Sequence, residues 1–382
     1  MPDTLAGIRV IDHGTFITGS FAAMLLADFG AEVIKIERAG TGDPYRSFRG
    51  GLYAPHFQAN NRSKRSVAID MDDENDRKLL LHLLESADVY IQNFRPGVAE
   101  KLGLASDVLQ AANPRLIYCG ISGFGSDGPY AGRPTYDTVA QGMSGFLSMY
   151  VGGDAPRVVG PAIADTLTGL YAAYGILAAL TARERGCRAP KVELSMLEVM
   201  MHFASEPFAN YFASGAPWGP YDRARVSQSY ALECADGKLI ALHLSSPEKF
   251  WTDLLTAIER PDLATDARFV TRMGRVENQD ALIDVLRPVF RARTRADWSE
   301  RLGGHDVPFA PIYTLDEALA GEQARHLEME QRVVHPQMGE VRMIRNPVTF
   351  DGDRRFAAFA PPVLDEHGAA IRAEIVARHT QE

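Results

Sequence analysis

The first 200 residues alternate between strand-like and helix-like segments. The predicted strands are short and apolar, over 9–12, 32–37, 66–69, 89–92 and 115–120. Between them, 20–29 and 75–86 carry apolar residues at helical spacing, which predicts amphipathic helices. Strands separated by helices pair in parallel, so this order predicts an α/β fold with a parallel sheet. Ligands of such sheets bind at the carboxyl ends of the strands.

The chain changes character near residue 224. Residues 230–242 predict a hairpin with its turn at Asp236-Gly237. We predict short helices after it, over 247–258, 279–290 and 295–302, and strand-like segments over 332–334 and 341–344. These elements favour a second, smaller α+β domain over 225–312, in agreement with the two domains expected from 382 residues.

Composition excludes several classes of protein. With 46% apolar residues the chain has enough material for a core, which excludes intrinsic disorder as its main state. A formal net charge of −9 argues against a general nucleic-acid binder. The cysteines form no CxxC pair, so we expect structural thiols and neither a zinc site nor a disulfide framework.

Membrane segments are also not expected from the sequence. Polar residues interrupt the apolar start of the chain, and no apolar run reaches the ~18 residues of a membrane span. The longest apolar run, 167–182, ends at Arg183 and is predicted to be a buried core helix. We therefore expect a cytoplasmic protein with no membrane partner.

Several short motifs do not support the chemistry they resemble. Residues 123–128 match GxGxxG, but Pro129 and Pro134 follow, so no helix can begin where a dinucleotide needs its N-terminus. A mobile loop is predicted there instead. Residues 14–20 lack the lysine of a P-loop, and Ser122 lacks the spacing of a nucleophile elbow. The histidines show no spacing typical of metal ligands, so we predict no bound metal.

An unusual concentration of basic residues lies between positions 35 and 65. The cationic residues of this segment are Lys35, Arg38, Arg46, Arg49, Arg62, Lys64 and Arg65, and only Glu37 and Asp43 oppose them. Cations in such number suit a ligand that carries several phosphates. The alternative is a solvated basic surface.

Asp165 stands where a long apolar helix begins. It is either simply the N-cap of that helix or, compatibly, a functional carboxylate. The helix dipole and free backbone amides keep a carboxylate ionised at such a position, and an ionised carboxylate attacks activated acyl groups. Neighbouring amides would hold the oxyanion that forms.

Longer motifs point to a family. They are LADFGAEVIKIERAGTGDPYR (26–46), NRSKRSVAIDM (61–71), ADVYIQNFRPGVAEKLGL (87–104), ISGFGSDGPYAGRPTYDTVAQGMSG (121–145) and GPAIADTLTGLYAAYGILAAL (160–180). In order, and across essentially the whole chain, these segments resemble the class III CoA-transferase family. That family also contains the formyl-CoA:oxalate, carnitine and α-methylacyl-CoA racemase branches.

The resemblance implies a fold and an assembly. It implies a Rossmann-like large domain built from both chain ends, a small α+β domain between them, and an interlinked homodimer. On this basis, residues 1–200 form the N-terminal part of the large domain and 201–224 a linker. The small domain then occupies 225–312, and 313–382 returns to complete the large domain.

The resemblance also implies the roles of individual residues. Asp165 matches the catalytic aspartate of the family, and Tyr136 matches an active-site tyrosine of the transferase branch. The positions that match the coenzyme A site are Phe16, Ile17, Thr18, Arg38, Ile69, Asn93, Phe94 and Lys101. Coenzyme A enters as a thioester substrate, so no permanently bound cofactor is expected.

The reaction implied by the resemblance moves CoA from an acyl-CoA to a free carboxylic acid. Asp165 attacks the thioester to form an anhydride, and the released thiolate converts the anhydride into an aspartyl-CoA thioester. The acceptor acid then reverses these steps. Neither ATP nor a metal is needed, because the energy of the thioester is conserved.

Two departures from the family pattern bear on the branch. Racemases carry a histidine at the position of Tyr136, and tyrosine, with an ordinary pKa near ~10, is a poor base for moving an α-proton. The formyl/oxalate branch carries glutamine at Ile17, tryptophan at Phe48, and a glycine run where this chain has 224–228. A transferase for a larger or more apolar acyl group than oxalate is therefore predicted. The alternatives are a racemase-type isomerase and a non-catalytic CoA-binding subunit.

Overall fold

The computed structural model describes residues 3–152, 156–245, 247–354 and 358–379. The chain forms two compact units. The first comprises Met1–Leu147, Arg157–Ser205 and Arg325–Glu382, and the second comprises Ser148–Pro156 and Glu206–Ala324. The predicted domain boundaries at residues 200, 224 and 312 stay predictions.

The elements of the two units are numbered along the chain. The strands are β1 (Arg9–His13), β2 (Glu32–Arg38), β3 (Lys64–Ile69), β4 (Val89–Gln92), β5 (Ile117–Ser122), β6 (Lys191–Ser195), β7 (Ser229–Glu233), β8 (Leu239–His243), β9 (Phe309–Ile312), β10 (Glu330–His335) and β11 (Gly339–Ile344). The helices are α1 (Thr18–Ala27), α2 (Pro55–Gln58), α3 (Glu74–Glu85), α4 (Val98–Lys101), α5 (Ser106–Ala112), α6 (Asp137–Met143), α7 (Ile163–Glu184), α8 (Met196–Phe203), α9 (Ser205–Ser214), α10 (Asp222–Val226), α11 (Glu248–Ala257), α12 (Arg272–Glu277), α13 (Gln279–Phe290), α14 (Arg295–Gly303), α15 (Leu315–Ala320), α16 (Glu322–His326) and α17 (Gly368–His379). Short 3₁₀ helices lie at Pro44–Ser47, Phe146–Met149 and Pro261–Ala264.

Six strands of the first unit form one parallel sheet in the order β3-β2-β1-β4-β5-β6. The sheet confirms the predicted α/β fold, and its order is that of doubly wound dinucleotide-binding folds. The order reverses between β1 and β4, whose register pairs His13 with Gln92 at their carboxyl ends. A crevice forms at such a reversal because the chain leaves the two strands in opposite directions, and ligands bind there.

Side chains of this sheet alternate between two apolar cores. Val10 and Val33 belong to the core that contains α1 and α7, whereas Ile11 and Ile34 belong to the core that contains α3 and α5. Ile371 of α17 completes the second core, so residues near the C-terminus pack with the N-terminal strands. Successive side chains of a strand enter the two cores alternately, so every position of the strand is buried. This explains why such strands are continuous apolar runs in the sequence.

Helix α7 corrects one expectation. It has 22 residues, and by length and composition alone it is long and apolar enough to cross a membrane, whereas the sequence predicted no such segment. Ala172 and Ile176 of this helix lie in the core with α1, as predicted for a core helix. A β-carbon at Gly169 would lie 2.7 Å from the carbonyl oxygen of Thr18, so a larger residue there would separate α7 from α1.

The second unit contains the antiparallel sheet β7-β8-β9. The predicted hairpin is confirmed: β7 pairs with β8, and Gly237 in the turn has φ 71°, which favours glycine. Helices α11, α13 and α14 confirm the predicted helices to within one residue. Trp251, Leu282 and Trp298 of these helices share a core with the sheet.

The glycine-rich segment after β5 forms bends and turns, and the next helix, α6, begins only at Asp137. This confirms that no helix directly follows the GxGxxG pattern. Its predicted mobility stays a prediction.

Candidate active site

A cavity of about 890 Å³ opens in the first unit at the carboxyl ends of β1, β4 and β5. Its walls come from the loops after these strands, from the 3₁₀ helix Pro44–Ser47 and from the start of α7. The lining includes Phe16, Ile17, Thr18, Tyr45, Phe48, Asn93, Phe94, Arg95, Arg133, Tyr136 and Asp165. The cavity therefore lies where the reversal of strand order predicts a ligand.

Asn93, the first residue after β4, holds the loop that follows β1. Its Nδ2 donates to the carbonyl oxygen of Thr15 at 2.8 Å and to Oγ1 of Thr18 at 2.9 Å. Its Oδ1 accepts from the Thr15 amide at 2.9 Å. The amide side chain thus ties the two loops at the reversal point together, and this fixes the walls between which a ligand would lie.

Asp43 fixes the conformation of the same loop from another side. Phe16 has φ 57°, in the left-handed region that residues with a β-carbon rarely adopt. Its amide donates to Oδ1 of Asp43 at 3.1 Å, and the Tyr45 amide donates to the same oxygen at 2.8 Å. Asp43 also pairs with Lys35 at 3.1 Å. The strained backbone is therefore supported by a carboxylate that is itself held in place.

A buried ion-pair network lies beneath the loop. Nζ of Lys35 lies 3.5 Å from Oδ2 of Asp12 and donates to the carbonyl oxygen of Gly14 at 2.8 Å. Nζ of Lys64 lies 2.8 Å from the same Asp12 oxygen and donates to the carbonyl oxygen of Ser20 at 2.7 Å. Burial alone would raise the pKa of Asp12, but the two ammonium groups hold it below its ordinary value. Burial also lowers the pKa of Lys64 to about 8.

This network corrects the interpretation of the basic segment. Most of its cationic side chains pair with carboxylates: Lys35 with Asp12 and Asp43, Lys64 with Asp12, Arg46 with Glu37, Arg62 with Asp28, and Arg65 with Glu32 and Glu374. Lys35, Arg46, Arg62 and Lys64 are also buried. These four are therefore neither a phosphate site nor a solvated surface. Arg38 and Arg49 are exposed.

The capping of α7 differs from the prediction. Asp165 is the third residue of the helix. Oδ1 of Asp137 accepts from the amides of Ala164 at 2.8 Å and Asp165 at 3.3 Å, while its Oδ2 accepts from Nε2 of Gln141 at 2.6 Å. Asp137 therefore caps the helix, and the interpretation of Asp165 as the N-cap is wrong. The same bonds occupy the amides of Ala164 and Asp165, so these two amides are not free to hold an oxyanion.

The pKa of Asp165 is raised to about 7. Burial is the main cause, and the negative charge of Asp137 adds to it. This outcome reverses the expectation that the helix dipole keeps the carboxylate fully ionised. A carboxylate with a raised pKa is more basic when ionised, and is therefore a stronger nucleophile than an ordinary aspartate.

Residues 5–368 match the profile of CoA-transferase family III. The chain belongs to this family. It is 35% identical over 379 residues to an acetyl-CoA:oxalate CoA-transferase of Acetobacter aceti. The match covers 97% of this chain and 95% of the relative. It is 29% identical to a succinyl-CoA:glutarate CoA-transferase of Mus musculus, over 97% of this chain and 86% of the relative.

Among solved structures, the chain is similar to the crystal structure of a CAIB/BAIF family protein from Brucella suis. The TM-score is 0.86 at 34% identity, and the match covers 98% of this chain and 100% of the other. The family III membership identifies the chain as an enzyme, a CoA-transferase.

The structure of this family III enzyme brings most of the predicted site residues together. Those that line the cavity are Phe16, Ile17, Thr18, Asn93, Phe94, Tyr136 and Asp165. Arg38, Ile69 and Lys101 are not among the lining residues. Arg38 and Ile69 pair at the ends of β2 and β3, where Arg38 is exposed and Ile69 is buried. Lys101 is exposed at the end of α4. The roles of these three residues stay predictions.

Sequence reasoning missed several lining residues of the cavity and one residue beside it. Tyr45, Arg95 and Arg133 line the cavity, and Asp137 caps the helix that carries Asp165. Tyr45 lies in a segment that was analysed for its positive charge and for its resemblance to the family, and neither assigned it a role. The only sequence signal for a role of Asp137 was its place beside Tyr136. Nothing in the local sequence shows that Asp137 accepts from the amide of Ala164, which lies 27 residues away.

Proposed function

We propose that this family III enzyme moves CoA from an acyl-CoA to a free carboxylic acid through covalent intermediates on Asp165. The observation that carries the proposal is the Asp165 carboxylate, which lines the cavity, is not used as a helix cap and has a pKa of about 7. The relatives named for oxalate and glutarate support a carboxylic acid as the acceptor.

In the first half of the reaction, an oxygen of ionised Asp165 attacks the thioester carbon of the donor. The carbon–sulfur bond breaks, CoA leaves as its thiolate, and the acyl group remains on Asp165 as a mixed anhydride. The thiolate then attacks the aspartyl carbonyl of that anhydride. This second step forms an aspartyl-CoA thioester and releases the donor acid as a carboxylate.

The second half runs the same steps with the acceptor. The acceptor carboxylate attacks the aspartyl-CoA thioester, which gives a new anhydride and the CoA thiolate again. The thiolate attacks the acceptor carbonyl of the anhydride, so product acyl-CoA forms and Asp165 returns as a carboxylate. No proton has to be gained or lost, because every leaving group and nucleophile in the cycle is an anion.

Cationic groups near the cavity suit the phosphates of coenzyme A. Arg95 and Arg133 line the cavity on the loops after β4 and β5, and Arg38 and Lys101 are exposed outside it. In this proposal they bind the diphosphate and the 3′-phosphate. The pantetheine chain then lies along Asn93 and toward Asp165.

We also propose that the enzyme is an interlinked homodimer. Leu170 and Tyr174 on α7 leave 50% and 69% of their surfaces exposed. Large apolar side chains exposed on a long helix favour a protein interface, and a second copy of the chain is the proposed partner. Sedimentation of the purified protein measures the assembly, and a monomer at all concentrations contradicts it.

A panel of acyl-CoA donors and carboxylic acids tests the proposed reaction. Mass spectrometry should detect a new thioester without ATP or added metal. Hydroxylamine should convert Asp165 into its hydroxamate when a donor is present, and peptide mapping locates that modification. Transfer of CoA with no modification of Asp165, and with full turnover in Asp165→Asn, contradicts the covalent mechanism.

A further inference from the structure

Aromatic side chains form one wall of the cavity. The ring of Phe16 lies 5.8 Å from that of Tyr136 and 5.7 Å from that of Tyr45, and Tyr45 lies 5.3 Å from Phe48. We call these four residues the aromatic wall; each of them lines the cavity. His56 supports the wall from behind, with its ring 5.3 Å from Tyr45 and 5.0 Å from Phe48. The rings meet at tilted or edge-on angles, which is the favoured geometry of aromatic pairs.

The aromatic wall stands close to the proposed nucleophile and is uncharged. Asp165 lines the same cavity. The pKa of Tyr45 is raised, first by burial and then by the charge of Asp165. Tyr45 therefore keeps its proton at neutral pH. Ile17, beside Phe16, adds an aliphatic side chain to the lining.

The cations of the same segment do not line the cavity. Nε and Nη2 of Arg46, which lies between Tyr45 and Phe48 in sequence, donate to Glu37 at 2.6 and 2.7 Å. Its guanidinium also lies 3.5 Å over the ring of Phe57, and it does not line the cavity. Arg49 is exposed and does not line the cavity either.

This distribution of charge determines which acids the wall accepts. A second carboxylate placed against the wall would lose water without gaining a cation from it, and Asp165 and Asp137 would repel it. A flat apolar group would instead gain edge and face contacts with the rings. Arg95 and Arg133, the arginines that line the cavity, come from other loops.

We propose that the aromatic wall is the acyl subsite of this transferase, and that it selects monocarboxylic acids with a planar aromatic body over aliphatic dicarboxylic acids. The proposal rests on the proposed CoA transfer and adds the class of substrate. It separates this chain from the relatives that are named for oxalate and glutarate.

Exchange of a labelled acid into its own CoA thioester tests the proposal with a single acyl group, because the donor and the acceptor then carry the same acid. Benzoate with benzoyl-CoA, cyclohexanecarboxylate with its thioester, succinate with succinyl-CoA, and acetate with acetyl-CoA are compared by mass spectrometry. We expect kcat/KM for the benzoate pair to exceed that for the succinate pair at least about tenfold, and that for the cyclohexane pair about threefold.

A matched pair of variants locates the selection. Phe48→Ala should lower benzoate exchange about tenfold and acetate exchange by a clearly smaller factor, so that the ratio of the two kcat/KM values falls. Phe359→Ala removes another exposed phenylalanine, outside the cavity, and should change neither. Faster exchange of succinate than of benzoate in the wild type overturns the proposal, as does an equal loss for acetate and benzoate in Phe48→Ala. Those outcomes leave CoA transfer standing. No exchange with any of the four pairs overturns the proposal too, and the broader panel of donors and acids then shows whether the proposed CoA transfer itself occurs.

Discussion

Asp137 accepts hydrogen bonds from the amides of Ala164 and Asp165, so the cap of α7 is a second carboxylate beside the proposed nucleophile. The carboxylate that accepts the helix amides and the carboxylate that faces the cavity are therefore two different aspartates. Asp137 receives the amides and their positive partial charge. Asp165 is left half-buried, with a pKa of about 7 that burial and Asp137 together produce.

The rate should therefore depend on pH with an inflection near 7. In the proposed mechanism ionised Asp165 is the attacking group, so kcat/KM should rise as the pH increases through about 7 and level off above it, because kcat/KM reports the free enzyme. Values of kcat/KM measured from pH 5 to 9 with one donor and one acceptor give the profile.

Asp137→Asn provides the control for this profile. The amide keeps an oxygen acceptor for the helix amides but removes the negative charge that raises the pKa of Asp165. The inflection should move to lower pH. An unchanged profile would show that Asp165 does not control it.

Loss of the proposed nucleophile should nearly abolish turnover without unfolding the protein. Asp165→Asn should reduce CoA transfer by several orders of magnitude, as is typical when a covalent nucleophile is removed. CoA affinity, measured by calorimetry, should change little. Near-normal turnover, with deamidation excluded by mass, would contradict the assigned role.

The same substitution should stabilise the fold above neutral pH. The ordinary pKa of 3.8 applies to Asp165 in the unfolded chain, and it is about 7 in the folded protein. Between these values the folded state binds more protons, so stability falls as the pH rises from about 4 to 7. Asp165→Asn removes this loss, and its thermal midpoint should exceed that of the wild type more at pH 8 than at pH 5. With allowance for partial exposure, the gain is on the order of 2 kcal/mol. An equal difference at both pH values would contradict the raised pKa.

Arginines of the basic segment should separate into two classes. Exposed Arg38 should contribute to CoA affinity, and Arg38→Ala should weaken it by about 1.5–3 kcal/mol at low salt, with a smaller loss at high salt. Arg46→Ala leaves Glu37 buried without its partner and should instead lower stability by about 3–5 kcal/mol. Calorimetric titration and thermal melting distinguish them. CoA affinity unaffected by Arg38→Ala at low salt would remove Arg38 from the site.

Proton transfer at the α-carbon should not occur. By the resemblance, Tyr136 matches the position where racemases of the family carry histidine, and Tyr136 is 62% exposed. A single enantiomer of a 2-methylacyl-CoA incubated in D2O should keep its configuration and take up no deuterium. Rapid deuteration, with no CoA transfer to any acid, would identify an isomerase instead.

The sequence predicted five of the six strands of the sheet, β1 to β5 but not β6, because the signals of strands are local. Apolar strands, amphipathic helices and turn residues each lie within about ten positions, and β1 to β4 follow the predicted segments to within two residues. Charge pairing is not local. The carboxylate of Asp12 lies 52 residues from Lys64 and that of Glu32 lies 33 from Arg65, so counting charges within 35–65 gave the wrong result. The cap of α7 was missed for the same reason.

The loop after β1 is supported from inside the sheet by three buried charged residues, Asp12, Lys35 and Lys64. None of these three residues lines the cavity. Residues that determine acyl preference and residues that hold the loop in place are thus separate sets. A mutant library restricted to Ile17, Tyr45 and Phe48 should yield enzymes with altered acyl specificity that still fold. Changes to the three buried charges should instead reduce activity toward every substrate alike, so they are best left fixed when the enzyme is redesigned.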